Sequence, residues 1–454
     1  MECKACFAKQ GKPCTPYKFP AMQAVRNTQN VIRNMPIRIM KILFAMTYFR
    51  PYVSGVIIYV ENLAQEFVKR GHEVTILTSQ YDPGLAHEEW MAGVRIVRVP
   101  VLFRVSKGVI MPSFMFYAAR EIRAHDVVAI QVPQFDGPIL GALTTMLGTP
   151  ATMTYHCDVQ LPKGLFNRIV DRVVLSNNFI SAMMVNNIIA YTLDYAKHSP
   201  LMSRFLSKVV VIPPPVEMEP PRDVALEAFR MRHNLHGKKV IGICARFATE
   251  KGFEYLIHAL PRLLDEFPNL VVLHAGEFEH VIGEHEYRDR LRPMLERYQE
   301  QWISLGLLGG EELAAFFAAC DVTVLPSLNR TESFGFVQIE SMLNGTPVVA
   351  SNLPGVRVPI KTTGMGLIAR IGDVEGLADA IAEVLRRPSE FLIPREQIKT
   401  EFSAHRTAND YLRLYQRLRA EASEHRPLWT YGFGLLFAFF LFLLSVLIAP
   451  RQAK

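Results

Sequence analysis

From Met40 to about residue 370 the chain alternates short apolar runs with longer stretches in which apolar positions recur every three or four residues. That alternation predicts βαβ units built around parallel sheets. KILFAM is the expected first strand, a loop from Tyr48 to Gly55 leads into a helix that runs to Arg70, and Gly71 ends that helix before the strand EVTILTS. Further strands are expected at Val94–Pro100, Val127–Val132, Ala151–His156, Ile188–Thr192 and Val209–Pro213. A second series is expected at Val240–Ala245, Leu270–Gly276, Trp302–Leu307, Asp321–Ser327, Pro347–Ser351 and Gly366–Arg370.

Between the two series stand Pro213, Pro214, Pro215, Pro220 and Pro221, which lack backbone donors and stiffen the chain. The pattern therefore predicts an α/β protein with two Rossmann-like domains, 40–213 and 224–394, joined by a Pro-rich linker at 214–223. A polar helical segment at 395–424 is expected to pack over a domain surface. The 454 residues suffice for two cores of this size.

The end of the chain follows a different pattern. Leu428 to Ala449 holds 22 residues without a charge, and a helix of that length, at 1.5 Å per residue, spans the roughly 30 Å of bilayer hydrocarbon. A transmembrane helix is expected at 428–449, with Trp429 and Tyr431 at headgroup level. Arg413, Arg417, Arg419 and Arg426 precede it, while only Arg451 and Lys454 follow. The positive-inside rule then predicts a single-pass protein of the cell membrane with its large N-terminal part on the cytoplasmic side.

The net charge of +7 hardly touches the folded part, because the first 39 residues hold seven Lys and Arg against Glu2 alone. Those cations lie in a segment without apolar periodicity, which predicts an extension without a fold and excludes a nucleic-acid footprint. Cys3, Cys6 and Cys14 fall in the same segment and make an incomplete zinc pattern; Cys157, Cys244 and Cys320 are scattered through apolar runs.

Four stretches carry candidate chemistry. In ESFGFVQIESMLNGTPVV, Glu332 lies in a loop and Glu340 in the helix that follows, eight residues on. A helix rises ~12 Å over eight residues, a distance that matches the reach from a hexose to a ribose across a diphosphate. The amides of Phe334, Gly335 and Phe336 would face that diphosphate from the helix N-terminus, where unpaired N–H groups and the macrodipole favour anions. In ICARFATEKGF, Arg246 and Lys251 follow a strand and precede a helix, where open α/β sheets bind ligands. TYHCDVQLP sets His156 at a strand end with Asp158 beside it. FRPYVSGVIIYVENL sets Gly55 at a helix start, where it lets a phosphate or an acceptor approach the backbone, and Tyr48 opens the loop that leads to it.

The stretch EELAAFFAACDVTVLPSLNRTESFGFVQIESMLNGTPVVASNLPG resembles the signature of the family-four retaining glycosyltransferases of GT-B fold, which include phosphatidylinositol mannosyltransferases and glycosyl-lipid synthases. The resemblance covers about Met40 to Leu418. It implies two Rossmann-like domains facing a cleft and transfer of a hexosyl group from a nucleotide-diphosphate sugar, UDP- or GDP-linked, with retention of configuration. It also implies that Glu340 binds the ribose hydroxyls, that Glu332 engages the donor sugar, that Arg246 and Lys251 stabilise the leaving phosphate, and that His156 faces the donor across the cleft. Gly55, Phe334, Gly335 and Phe336 complete the donor side; Asp158 and Tyr48 are candidates for the acceptor side, with orientation of His156 the other role open to Asp158.

The chain departs from the family pattern at Ser54-Gly55, where two glycines are common, and at VIPPPVE, where an Asn-Gly turn is usual. GHEV at Gly71 to Val74 matches, with His72 read as a turn residue. No Asp-x-Asp occurs, so a reaction without metal or other cofactor is expected, with cations and helix amides neutralising the diphosphate. With the apolar terminus, a lipid or lipid-linked acceptor at the membrane is expected. The alternatives are a non-catalytic subunit of the same fold that binds nucleotide sugar, and an epimerase or phosphorylase, since fold does not fix function.

Overall fold

A computed structural model of the chain describes residues 39–105, 108–160, 165–281 and 283–424. The basic extension with its three cysteines and the span expected at 428–449 lie outside these residues. Among the described residues no helix is long and apolar enough to cross a membrane.

The first domain contains β1 (Lys41–Ala45), β2 (Glu73–Gln80), β3 (Glu88–Met91), β4 (Val94–Pro100), β5 (Phe103–Val105), β6 (Gly108–Ile110), β7 (Val127–Val132), β8 (Ala151–Tyr155), β9 (Asn187–Ala190) and β10 (Val209–Val211). Eight of them form a sheet in the order β10-β9-β8-β7-β1-β2-β4-β3, parallel except for β3, and β5 pairs with β6 apart from it. The second domain contains β11 (Lys239–Cys244), β12 (Leu270–Ala275), β13 (Trp302–Gly306), β14 (Val322–Leu325), β15 (Val348–Ser351) and β16 (Gly366–Ala369). They form a wholly parallel sheet in the order β13-β12-β11-β14-β15-β16.

The central strands are continuous apolar runs because helices cover a parallel sheet on both faces. All six residues of β7 and all six of β12 are buried. The helix Gly55–Lys69 shows how the covering layer is written in sequence. The Ser54 hydroxyl accepts from the Ile57 N–H and caps the helix start, and Ile57, Tyr59, Val60, Leu63, Ala64 and Phe67 recur at helical spacing on its buried face. The expectations do not include β3, β5 and β6. Glu88 and Glu89 break the apolar pattern at an exposed sheet edge, and β5 and β6 have three residues each.

Strand order reverses at β1/β7 in the first sheet and at β11/β14 in the second. At such a switch point the loops leaving neighbouring strands part to opposite faces and open a crevice outside the carboxyl ends. The loops carrying Gly55, and those carrying Arg246, Lys251 and Glu332, all leave strands at these two points.

The expected helical segment at 395–424 is two helices, Arg395–Phe402 and Ala404–Glu424, and the second lies on the first domain. Tyr411 and Tyr415 are fully buried there. The Tyr411 hydroxyl lies 2.5 Å from that of Tyr59 and 3.0 Å from Thr154 Oγ1, while Arg70 donates to Asn409 at 2.7 Å and Thr407 to the Pro213 carbonyl at 2.9 Å. One buried cluster accordingly joins Phe44 and Phe67 of the first domain to Phe334, Ile339, Phe402 and Tyr411. Replacing Tyr411 by Ala should lower unfolding stability by about 3 to 5 kcal/mol, the usual cost of emptying a buried aromatic site. Urea unfolding checks this; a loss below about 1 kcal/mol, the size of one hydrogen bond, would contradict the docking of this helix.

Candidate active site

The loop between β14 and the helix Phe336–Leu343 lies at the centre of the site. Gly335 has φ of +77°, and a side chain there would overlap Leu325 and Gln338, so the tight entry into the helix requires glycine. Among the described residues the N–H groups of Phe334, Gly335 and Phe336 donate to no acceptor. Three unpaired amides at the start of an eight-residue helix are the kind of group to which an anion can bind.

Lys251 and Glu332 meet directly, with Nζ 2.7 Å from Oε2 and both side chains largely buried. The loop carrying Lys251 is brought in by Gly252, whose φ is +68° and whose missing side chain would strike the Pro326 carbonyl. The Leu328 N–H donates to the Glu250 carbonyl at 2.9 Å and ties the two loops together. Arg246 is exposed and pairs with Glu250. Glu340 lies one helix turn further on, partly buried, and burial raises its carboxyl to about 7. Its charge acts on the Cys244 thiol at the end of β11, as does that of Lys251.

From the first domain, Tyr191 faces Phe334 and Phe336, and Tyr59 and His156 pack against Tyr191. Ring centroids are 5.2 Å apart for Tyr59 and His156, 6.0 Å for Tyr191 and Phe334, and 5.5 Å for Tyr191 and Phe336. A Cβ on Gly55 would lie 3.7 Å from the Phe336 ring. Gly55, Phe334, Gly335, Phe336 and His156 are therefore gathered at one place, beside Lys251 and Glu332.

Three expected roles look different in three dimensions. Both ring nitrogens of His156 have protein partners, Nδ1 with the Tyr191 hydroxyl and Nε2 with Gln131 Oε1 at 2.9 Å, and burial lowers its pKa to about 3. The imidazole is thus neutral at any physiological pH, and to bond a sugar it must exchange one of these partners. Asp158 faces Arg330 of the second domain at 3.6 Å instead of an open acceptor surface. Tyr48 stands apart, in a cluster with Tyr52 and Tyr81 at centroid distances of 5.3 and 5.5 Å, with Arg104 over the Tyr81 ring. His72 acts as the turn residue expected, its Nδ1 accepting from the Met40 N–H at 3.1 Å.

Two groups at this edge have no role assigned from the sequence. Cys157 lies within electrostatic reach of Glu332, Asp158, Lys251 and Arg246, and burial pushes its thiol up to about 12. Asp136, after β7 at the first switch point, is buried, and burial alone raises its carboxyl to about 7. Only the Asp before Gly137-Pro138 at a strand end could have flagged it.

The raised Glu340 carboxyl fixes the sign of a pH effect. Folded Glu340 keeps its proton up to about 7 against an ordinary 4.5, so the stability it contributes is complete below 4.5 and is lost as pH rises through 7. Relative to the wild type, Glu340→Gln should gain on the order of 1 to 3 kcal/mol in urea unfolding between pH 5 and pH 8. A difference that stays equal at the two pH values would contradict the assignment.

Comparison with known proteins agrees with this geometry. The description "Glycosyl transferases group 1" matches residues 227–401, and "Glycosyltransferase Family 4" matches residues 53–220. Similar proteins include the 2-deoxystreptamine glucosyltransferase of Streptomyces kanamyceticus, 27% identical over 62% of this chain and 73% of that one. The alpha-monoglucosyldiacylglycerol synthase of Streptococcus pneumoniae is 27% identical over 76% and 77%, and the phosphatidyl-myo-inositol mannosyltransferase of Mycobacterium tuberculosis is 25% identical over 76% and 86%. Among solved structures, sucrose-phosphate synthase from Thermosynechococcus elongatus superposes with a TM-score of 0.67 at 21% identity, over 84% of this chain and all of that one. Anabaena HepE in complex with UDP gives 0.65 at 16%, over 83% and all of that chain. These likenesses establish the two-domain GT-B fold. With both of its domains matched, the chain belongs to the group 1 and family 4 glycosyltransferases and is a transferase enzyme.

Proposed function

We propose that the enzyme transfers a hexosyl group, with retention of configuration, from a UDP- or GDP-linked sugar to an acceptor at the cytoplasmic face of a membrane. The observation that carries this reading is the three free amides at Phe334, Gly335 and Phe336 beside the Lys251–Glu332 pair. An anion receptor flanked by a cation suits a pyrophosphate, and Glu340, further along the same helix, suits a ribose. Glu332 engages the sugar. Arg246, Lys251 and the amides stabilise the departing diphosphate while the acceptor hydroxyl attacks from the same face and passes its proton to the leaving phosphate oxygen. Cations and dipoles aimed at the developing charge supply the main electrostatic stabilisation, so no metal is required.

The names of two similar proteins, an alpha-monoglucosyldiacylglycerol synthase and a phosphatidyl-myo-inositol mannosyltransferase, support a lipid acceptor, as does the apolar stretch at 428–449 read as a span. A water-soluble acceptor is the second reading, favoured by where the last described helix ends. Arg419 pairs with Asp126 at 3.0 Å and Arg417 with Asn187 at 3.3 Å, at the starts of β7 and β9. That is the end of the first sheet opposite the carboxyl ends of its strands.

The test is transfer from the UDP or GDP sugar that raises the melting temperature of the purified protein, assayed with liposomes and with soluble sugars, and read by NMR at the new anomeric centre. A product with the donor's configuration, formed on lipid and reduced when the chain is cut before Leu428, is expected. An inverted product ends the retaining mechanism; transfer to soluble sugars alone ends the lipid acceptor.

A further inference from the structure

We infer that Asp158 and Tyr195 are positioning residues that hold the loop carrying Glu332 in its reactive place across the domain boundary. The inference rests on the reading of Glu332 as the residue that engages the donor sugar.

Asp158 follows β8 and is only 6% exposed. Its Oδ1 accepts from the Tyr155 hydroxyl at 2.9 Å and from the Ser199 hydroxyl at 2.8 Å, which fixes the carboxylate from within the first domain. Oδ2 is left toward Arg330 of the second domain, 3.6 Å from Nε. Neither of these two buried atoms has a hydrogen-bond partner. The separation exceeds the 2.7–3.2 Å of a formed N–H···O bond by about half an ångström, and a buried polar atom left without a partner is costly. A small further approach of the two domains would complete the bond.

Three other contacts grip the same loop. The Tyr195 hydroxyl accepts from the Asp158 N–H at 2.6 Å and donates to the Arg330 carbonyl at 2.7 Å, bridging the domains with one atom. The Arg330 N–H donates to Gln160 Oε1 at 3.3 Å, and the Ser333 hydroxyl donates to the His156 carbonyl. Glu332 lies between the gripped residues Arg330 and Ser333, with its carboxylate on Lys251. Beside them Asp194 accepts from the Gly355 N–H at 3.0 Å and from Arg357 at 2.7 and 2.8 Å, and the Gly355 backbone packs against Ser333 so closely that a side chain there would overlap its carbonyl. The first domain thus sets the backbone from which Glu332 projects, and Asp158, with both oxygens directed at protein, is not free to bind an acceptor.

A group that positions without touching substrate should govern turnover and leave nucleotide binding alone. In steady-state transfer, Asp158→Asn, Tyr195→Phe and Arg330→Met should each lower kcat by about 10- to 100-fold, the scale of an ångström's misplacement, with the dissociation constant of the nucleoside diphosphate and the melting temperature near those of the wild type. Arg330→Lys should recover part of the loss. Asp158→Asn combined with Arg330→Met should be no worse than the poorer single variant, since both remove one contact. Wild-type kcat in the single variants, multiplied losses in the double variant, or losses that follow nucleotide affinity would each overturn the positioning role. A wild type that neither binds nucleotide sugar nor transfers it would overturn the donor-site reading itself, and the inference with it.

Discussion

Everything at this site depends on keeping three unpaired backbone amides and a partly buried cation in place. Free N–H groups at a helix start are costly when removed from water, and at Phe334, Gly335 and Phe336 they are held in place by the packing around them. Gly335 sets the turn, Phe334 is buried in the cluster that joins the two domains, and Gln338 donates to the Phe334 carbonyl at 2.8 Å and to the Val356 carbonyl at 2.9 Å. These amides are thus held by their own domain, with Tyr191 of the other packed against Phe334 and Phe336.

The Lys251–Glu332 pair keeps this region electrically balanced without ligand. A partly buried ion pair adds little net stability, because desolvation offsets its attraction; on the proposed reading its value lies in storing a lysine for a diphosphate, which would draw Lys251 away and free Glu332 for the sugar. The neutral His156, bound to Tyr191 and Gln131, adds no charge to compete with that exchange. Between sheet and cleft the aromatic rings of Tyr59, Tyr191, Phe334 and Phe336 exclude water and keep these electrostatic effects strong.

The sequence made the frame readable where one physical cause acted alone. Parallel strands buried on both faces appear as apolar runs, so β1, β7, β11 and β12 stand out, and the motif around Glu332 and Glu340 reveals the donor side. Edge strand β3 escaped because Glu88 and Glu89 obey solvent and not a core. The partners of His156 and Asp158 escaped for another reason: Gln131, Tyr191, Tyr195 and Arg330 are separated from them by 25 to 172 residues, and the nearer ones reach them only through sheet pairing. A motif specifies residue types at fixed spacing; it carries no information on which distant groups will occupy their hydrogen bonds.

A structure of the protein bound to a nucleoside diphosphate tests the central claim most directly. The account predicts the ribose on Glu340 and the diphosphate over the amides of Phe334 to Phe336, within hydrogen-bond distance of Arg246 and Lys251. A nucleotide seated elsewhere, with the Lys251–Glu332 pair untouched and those amides facing only solvent, would contradict it.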